Sequence, residues 1–262
     1  MVRRRGFLMG ITTERSENLW FRRLRAPGEP TLRLACFPHA GGTASMFQGW
    51  RRLLPPDVEL LAARYPGRQD RIADPVIESM DELADRITHA LLGDLDRPLA
   101  LFGHSMGSAV AYAVAARLTV EHGVRPALLI VSGRPAPHRA EPTTVHRDSD
   151  EAIIESLRRL GSTQLDAYDD PDLRELLMPA LRADYRVLET GRPTDPVALA
   201  TPIVACAGIS DPRCGVDGLR SWSTLTTSPF THRVFPGDHF YVEPYEADLV
   251  AYVSKHLRTI RN

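Results

Sequence analysis

The chain has 262 residues, 43% of them hydrophobic and 25% charged, which excludes disordered, collagen-like and coiled-coil compositions. Its 32 Lys+Arg nearly balance 33 Asp+Glu, against the basic excess of a nucleic-acid binder. The three cysteines (Cys36, Cys206, Cys214) have neither CxxC spacing nor a histidine cluster, so a reducing compartment is expected, with no disulfide scaffold and no metal site.

In chain order, residues 1–17 read as a disordered, arginine-rich leader. Arg4-Arg5-Gly6-Phe7-Leu8 has the form of a twin-arginine export signal, but the apolar run ends at Ile11 and Thr12, Thr13 and Glu14 follow. That run is too short for a signal or a membrane span, and no later segment approaches eighteen uninterrupted apolar residues, so a cytoplasmic protein without membrane attachment is expected. Lys255 is the only lysine, and the arginine excess reads as the codon preference of a GC-rich genome.

Leu32–Cys36 and Val58–Ala62 read as strands. Ser79 with Glu82 has capping-box spacing, and Leu83, Ile87 and Leu91 continue at helical intervals. Leu99–Phe102 is a strand ending in Gly103-His104-Ser105-Met106-Gly107, followed by an alanine-rich helix, then a strand over Leu128–Val131. From about 133 to 200 the rhythm breaks. One amphipathic helix carries Ile153, Ile154, Leu157 and Leu160, and a second carries Leu173, Leu176, Leu177, Leu181, Tyr185 and Leu188, with Pro179 expected to kink or divide it. Strand–helix alternation resumes with Pro202–Ala207, a helix near Val216–Leu225, a strand near His232–Phe235, and a closing helix with Leu249, Val250, Val253 and Leu257 on its buried stripe. The pattern predicts one α/β domain over 1–262, a mostly parallel sheet with helices on both faces and a helical lid insertion at about 133–200.

The G-x-S-x-G sits between a predicted strand and helix, the context of a nucleophile elbow, which makes Ser105 the candidate nucleophile. A serine hydroxyl needs a base. His239, in Pro236-Gly237-Asp238-His239-Phe240, follows the last strand and lies at the same sheet edge as Ser105. His104 is expected to point elsewhere, and His89, His122, His146 and His256 to sit on surfaces. Asp211, after the Pro202–Ala207 strand, is the candidate acid, with Asp217 and Asp238 as competitors. The order Ser105, Asp211, His239 is that of the α/β-hydrolase fold. The N–H groups of Met106 and Ala40 are the candidate oxyanion hole. His39 and Phe240 are candidate substrate contacts, His39 alternatively orienting its loop.

Five segments in this order, Phe37-Pro-His-Ala-Gly-Gly42, Tyr65-Pro-Gly-Arg-Gln-Asp-Arg71, Gly103-His-Ser-Met-Gly107, Gly208-Ile-Ser-Asp211 and Gly237-Asp-His-Phe240, resemble the type II thioesterases of polyketide and nonribosomal-peptide assembly lines. The resemblance runs from about residue 32 to the C-terminus and leaves the leader outside, with Met9 as an alternative start. It implies a stand-alone enzyme that hydrolyses acyl groups from the phosphopantetheine arm of acyl or peptidyl carrier proteins through an acyl-serine, in antibiotic-type secondary metabolism. The carrier is then a transient partner, the enzyme a monomer, the insertion a lid, and the phosphopantetheine a part of the substrate, with no further cofactor. Integral thioesterases usually place the acid one strand earlier, where this chain has only Gly133-Arg134-Pro135. A carboxylesterase or lipase, an acyltransferase, and a non-catalytic ligand-binding module of the same fold are the alternatives. Arg64, Arg68, Arg134 and Arg139 are candidate docking residues for an acidic carrier.

Overall fold

The computed structural model describes residues 19–24, 29–162 and 165–260. The expected leader and its export-like motif lie outside them. Strand β1 (Phe21–Leu24) is followed by β2 (Leu32–Phe37), helix α1 (Trp50–Leu53), β3 (Val58–Ala63), α2 (Met80–Leu92), β4 (Leu99–His104), α3 (Met106–His122) and β5 (Leu128–Ser132). Then come α4 (Asp150–Arg159), α5 (Asp166–Asp169) and α6 (Pro171–Thr190), all between β5 and β6 (Ile203–Gly208), and finally α7 (Val216–Arg220), β7 (Phe230–Phe235) and α8 (Glu246–Arg258). The sheet order is β1-β3-β2-β4-β5-β6-β7, with every neighbouring pair parallel except β1 against β3.

Side chains alternate across the strands, so each strand feeds two cores. Ala35, Leu61, Leu101, Leu129 and Ala205 face a core completed by α2, α3 and the α4–α6 segment. Leu34, Leu60, Phe102, Ile130 and Val204 face the other, closed by Trp50 of α1 and by Leu249, Val253 and Leu257 of α8. Central strands buried on both faces read as unbroken apolar runs, hence their legibility. At the N-terminal ends of the strands, buried Arg33 bonds Glu59 (2.7 Å), its register partner on β3, so the charged residue inside an apolar strand is paired.

Two features differ from the expectation. Strand β1 is not foreseen, because Phe21-Arg22-Arg23-Leu24 is a four-residue edge with two arginines and no strand-length periodicity. Helix α6 is one continuous element of 20 residues, although Pro179 lies inside it. Pro179 and Glu175, whose carbonyl loses its donor, are both on the exposed side, where water can replace the missing bond. The buried face of α6 begins only at Met178, so Leu173 (44% exposed) and Leu176 (51%) are solvent-facing rather than part of the stripe. Among the described residues no helix is long and apolar enough to cross a membrane. All three cysteines are unpaired and buried.

Candidate active site

Ser105 terminates β4 with φ 54° and ψ −114°, a backbone conformation that costs a non-glycine residue about 1–3 kcal/mol. Glycines permit the turn: a Cβ at Gly103 would lie 2.0 Å from the Gly107 carbonyl oxygen, and one at Gly107 would lie 1.9 Å from that of Phe37. The turn is held from below. Ser105 N–H donates to the Ser132 carbonyl (2.7 Å), and the buried Ser108 hydroxyl binds the Gly103 and Ser132 carbonyls, each at 2.8 Å.

His239 sits in the loop between β7 and α8, 2% exposed, and its Nδ1–H donates to Asp211 Oδ2 at 2.9 Å. The other oxygen of Asp211 accepts from the Arg213 N–H (2.8 Å). This fixes His239 as the Nδ1–H tautomer, leaving Nε2 as a proton acceptor. Of the competing acids, Asp217 is fully exposed near Arg220, and Asp238 accepts from the Phe240 N–H (2.8 Å) to close its own turn. Ser105 and His239 line one cavity of about 350 Å³, together with His39, Ala40 and Phe240. No hydrogen bond joins Ser105 to His239 among the described residues. Such bonds are often loose without substrate and tighten in the complex.

The N–H groups of Ala40 and Met106, both in buried residues, find no acceptor among the described residues. That of Met106 opens α3, where the first N–H groups have no intrahelical partner and the helix dipole favours negative charge. His39 packs edge-on against Phe240 with ring centroids 5.0 Å apart. Burial, with His239 and Arg68 nearby, pushes its pKa down to about 3, so His39 is neutral at physiological pH.

His104 does not point away from the site. Its ring lies 5.0 Å from that of His239, and its Nδ1 bonds Ser132 Oγ (2.9 Å), which in turn bonds the Tyr241 hydroxyl (2.7 Å). Burial holds the His104 pKa well below the ordinary range, and this neutral ring backs His239. Nothing in the sequence distinguishes this buried chain from ordinary polar residues.

The docking arginines are placed differently from expectation. Arg68 is buried, with its guanidinium forked onto Asp184 of α6 (Nη1–Oδ2 2.7 Å, Nη2–Oδ1 2.8 Å). The same carboxylate accepts from the Gly41 N–H (2.7 Å), and Arg68 also reaches the Gly42 carbonyl (3.2 Å). Gly67 (φ 77°) and Gln69 (φ 49°) flank Arg68 in left-handed conformations, so the loop is bent to deliver this side chain. Arg68 and Asp184 thus clasp the Ala40-Gly41 loop to α6. Arg64 is bound to Asp70 (2.5 Å), and Arg134 lines the cavity. Only Arg139 of the four is exposed.

Residues 32–257 match a family model described as a thioesterase domain. Thioesterase PikA5 of Streptomyces venezuelae is 40% identical over 244 residues, covering 93% of this chain and 87% of that protein. The structure of the type II thioesterase BorB from the borrelidin biosynthetic cluster aligns with a TM-score of 0.84 at 38% identity, over 91% of this chain and 98% of that one. YbtT, a type II thioesterase from the yersiniabactin pathway, aligns with a TM-score of 0.82 at 28% identity, over 92% and 99%.

Proposed function

The chain belongs to the thioesterase family as a type II thioesterase, and from that premise we propose that it clears acyl groups from the phosphopantetheine arm of acyl or peptidyl carrier proteins during secondary-metabolite biosynthesis, using Ser105, His239 and Asp211. The main support is the buried His239–Asp211 bond at 2.9 Å, opening on the same cavity as a serine held on a strained turn.

Ser105 Oγ attacks the thioester carbonyl carbon while His239 Nε2 takes the hydroxyl proton. Asp211 stabilises the resulting imidazolium and does not itself take up a proton. The carbonyl oxygen becomes an oxyanion that the Ala40 and Met106 N–H groups receive. Collapse expels the pantetheine thiolate. With a thiol pKa of about 8.5, that group leaves with little acid assistance, and it takes up the proton held by His239, which returns to its neutral form. Water, losing a proton to His239, then attacks the acyl-serine; collapse releases the carboxylic acid and restores Ser105. The segment between β5 and β6 roofs the cavity through Leu157, Leu160, Tyr185 and Leu188 and acts as its lid.

The test compares an acyl-pantetheine with its oxygen-ester analogue, and the same acyl group on a carrier protein. Strong thioester preference with a further gain on the carrier is expected. Equal rates on ester and thioester would instead identify a general esterase, and transfer of the acyl group to added alcohols or amines would identify an acyltransferase.

A further inference from the structure

We infer that the cavity is built for an acyl group that carries a carboxylate of its own, received by Arg134, Arg192 and Arg213. This rests on the thioesterase reading and narrows its substrate class. All three arginines line the cavity that contains Ser105 and His239, and none makes an ion pair among the described residues. The Nε atoms of Arg134 and Arg192 are buried without a hydrogen-bond partner. For Arg213 the side-chain contact is a 3.4 Å bond to the Ser156 hydroxyl, which brings no charge. Burial, with Arg213 and Arg192 beside it, lowers the Arg134 pKa to about 10. It remains cationic at physiological pH. Arg213 is exposed and keeps its hydration, so the unfavourable arrangement that a bound anion relieves is that of Arg134 and Arg192, half-buried neighbours whose Nε atoms lack partners.

The nearby acids make no bond to these guanidiniums, although the Glu189 charge partly offsets that of Arg134. Glu189 lines the same cavity, but its carboxylate already accepts from the Thr143 hydroxyl, the Val145 N–H (2.8 Å) and the His146 N–H (3.0 Å), and it also pairs with the His146 ring. Glu141 is exposed, as is Arg139. Arg134 and Arg192, with Leu188, also line a second cavity of about 450 Å³, so the guanidinium-bearing residues stand at the partition between two spaces.

A phosphate could satisfy the same donors, since guanidinium forks bind carboxylate and phosphate alike. Position favours the carboxylate. A Cβ on Gly133, the residue before Arg134, would lie 3.2 Å from His239 Cε1, which sets this arginine's backbone beside the base that acts at the acyl carbonyl. The whole pantetheine chain separates that carbonyl from the arm's phosphate.

The experiment measures kcat/KM for matched acyl pairs, succinyl against butyryl and adipoyl against hexanoyl, on N-acetylcysteamine, which has no phosphate, and on phosphopantetheine. The parent enzyme is expected to prefer the carboxylated member of at least one pair by about tenfold or more on both carriers. Arg134→Gln and Arg192→Gln should each reduce that ratio, and the double variant should bring it near unity. Stoichiometric labelling of Ser105 by a fluorophosphonate establishes that each variant is folded and has a reactive serine. Neutral acyl groups hydrolysed as well as carboxylated ones in every pair would overturn the inference and leave the thioesterase reading standing. So would an arginine effect seen only on phosphopantetheine substrates, which would assign the cluster to the phosphate. Failure to hydrolyse any acyl thioester would overturn the thioesterase reading itself.

Discussion

Ser105 occupies a backbone conformation that glycine tolerates better, so its presence there is a stability cost accepted for an exposed hydroxyl. Ser105→Ala should retain the fold and lose turnover, because alanine keeps the strain and removes only the hydroxyl. Ser105→Gly should be equally inactive yet more stable than the alanine variant by about 1 kcal/mol, read as a higher unfolding midpoint. At Asp211 the effect is on the tautomer. Asp211→Asn leaves a hydrogen-bonding group of the same size at 2.9 Å from His239 Nδ1, but its amide can donate where the carboxylate only accepts. A kcat lower by about 10⁴-fold with an unchanged circular-dichroism spectrum is the expected result. If Asp217→Asn produced that loss and Asp211→Asn did not, the acid would be misassigned.

At the scale of elements, the joint between α6 and the Ala40-Gly41 loop is the feature most open to test. Arg68 and Asp184 are both buried, so removing either leaves an uncompensated charge. Arg68→Met or Asp184→Asn should cost about 3–5 kcal/mol of stability. The double variant Arg68→Met with Asp184→Leu should regain much of that stability but not the parent kcat, because Gly41 N–H loses its acceptor. Recovery of kcat along with stability would reduce the pair to a structural role. This joint also marks where sequence reading stops. Strands β2 to β6 are legible because burial on both faces leaves continuous apolar runs, and α2, α4 and α8 because their buried residues recur every three or four positions. The loops that bring Ser105, Asp211 and His239 to one edge follow from that alternation. The Arg68–Asp184 contact spans 116 positions and joins two residues with no local pattern in common, so nothing in the chain announces it. Of the cavity arginines, Arg134 stands out in the sequence only as a candidate docking residue, and Arg192 and Arg213 escape notice for another reason: in a chain with one lysine, any arginine passes for background.

Across the whole molecule, half-buried His39 and fully buried His104 couple the site to stability. His39, pushed down to about 3 by burial and by neighbouring positive charge, and His104, held well below its ordinary value by burial, both stay neutral in the native state. Above pH about 6.5 both are also neutral when unfolded, and their contribution is complete. As pH falls below that value the unfolded chain takes up protons that the native state refuses, so stability is lost by up to about 1.4 kcal/mol per pH unit for each histidine, down to about pH 3 for His39. Urea unfolding at pH 7, 6, 5 and 4 should show this decline, and His39→Asn should make it shallower by about one such increment. A second long-range contact sits at Gly161, after α4, where an added Cβ would fall 2.1 Å from Asp238 Oδ2. Gly161→Ala should therefore turn the Asp238 carboxylate away from the Phe240 N–H and, at φ 88°, strain the end of α4, read as a lower unfolding midpoint.

The clasp on Asp184 has a temporal consequence. One carboxylate secures a helix of the roof and also the backbone segment that would face the nascent negative charge. A swing of that helix wide enough to admit bulky cargo would have to release the segment as well. Such a swing would disarm the segment for as long as it lasted, and bond cleavage would wait for the helix to return.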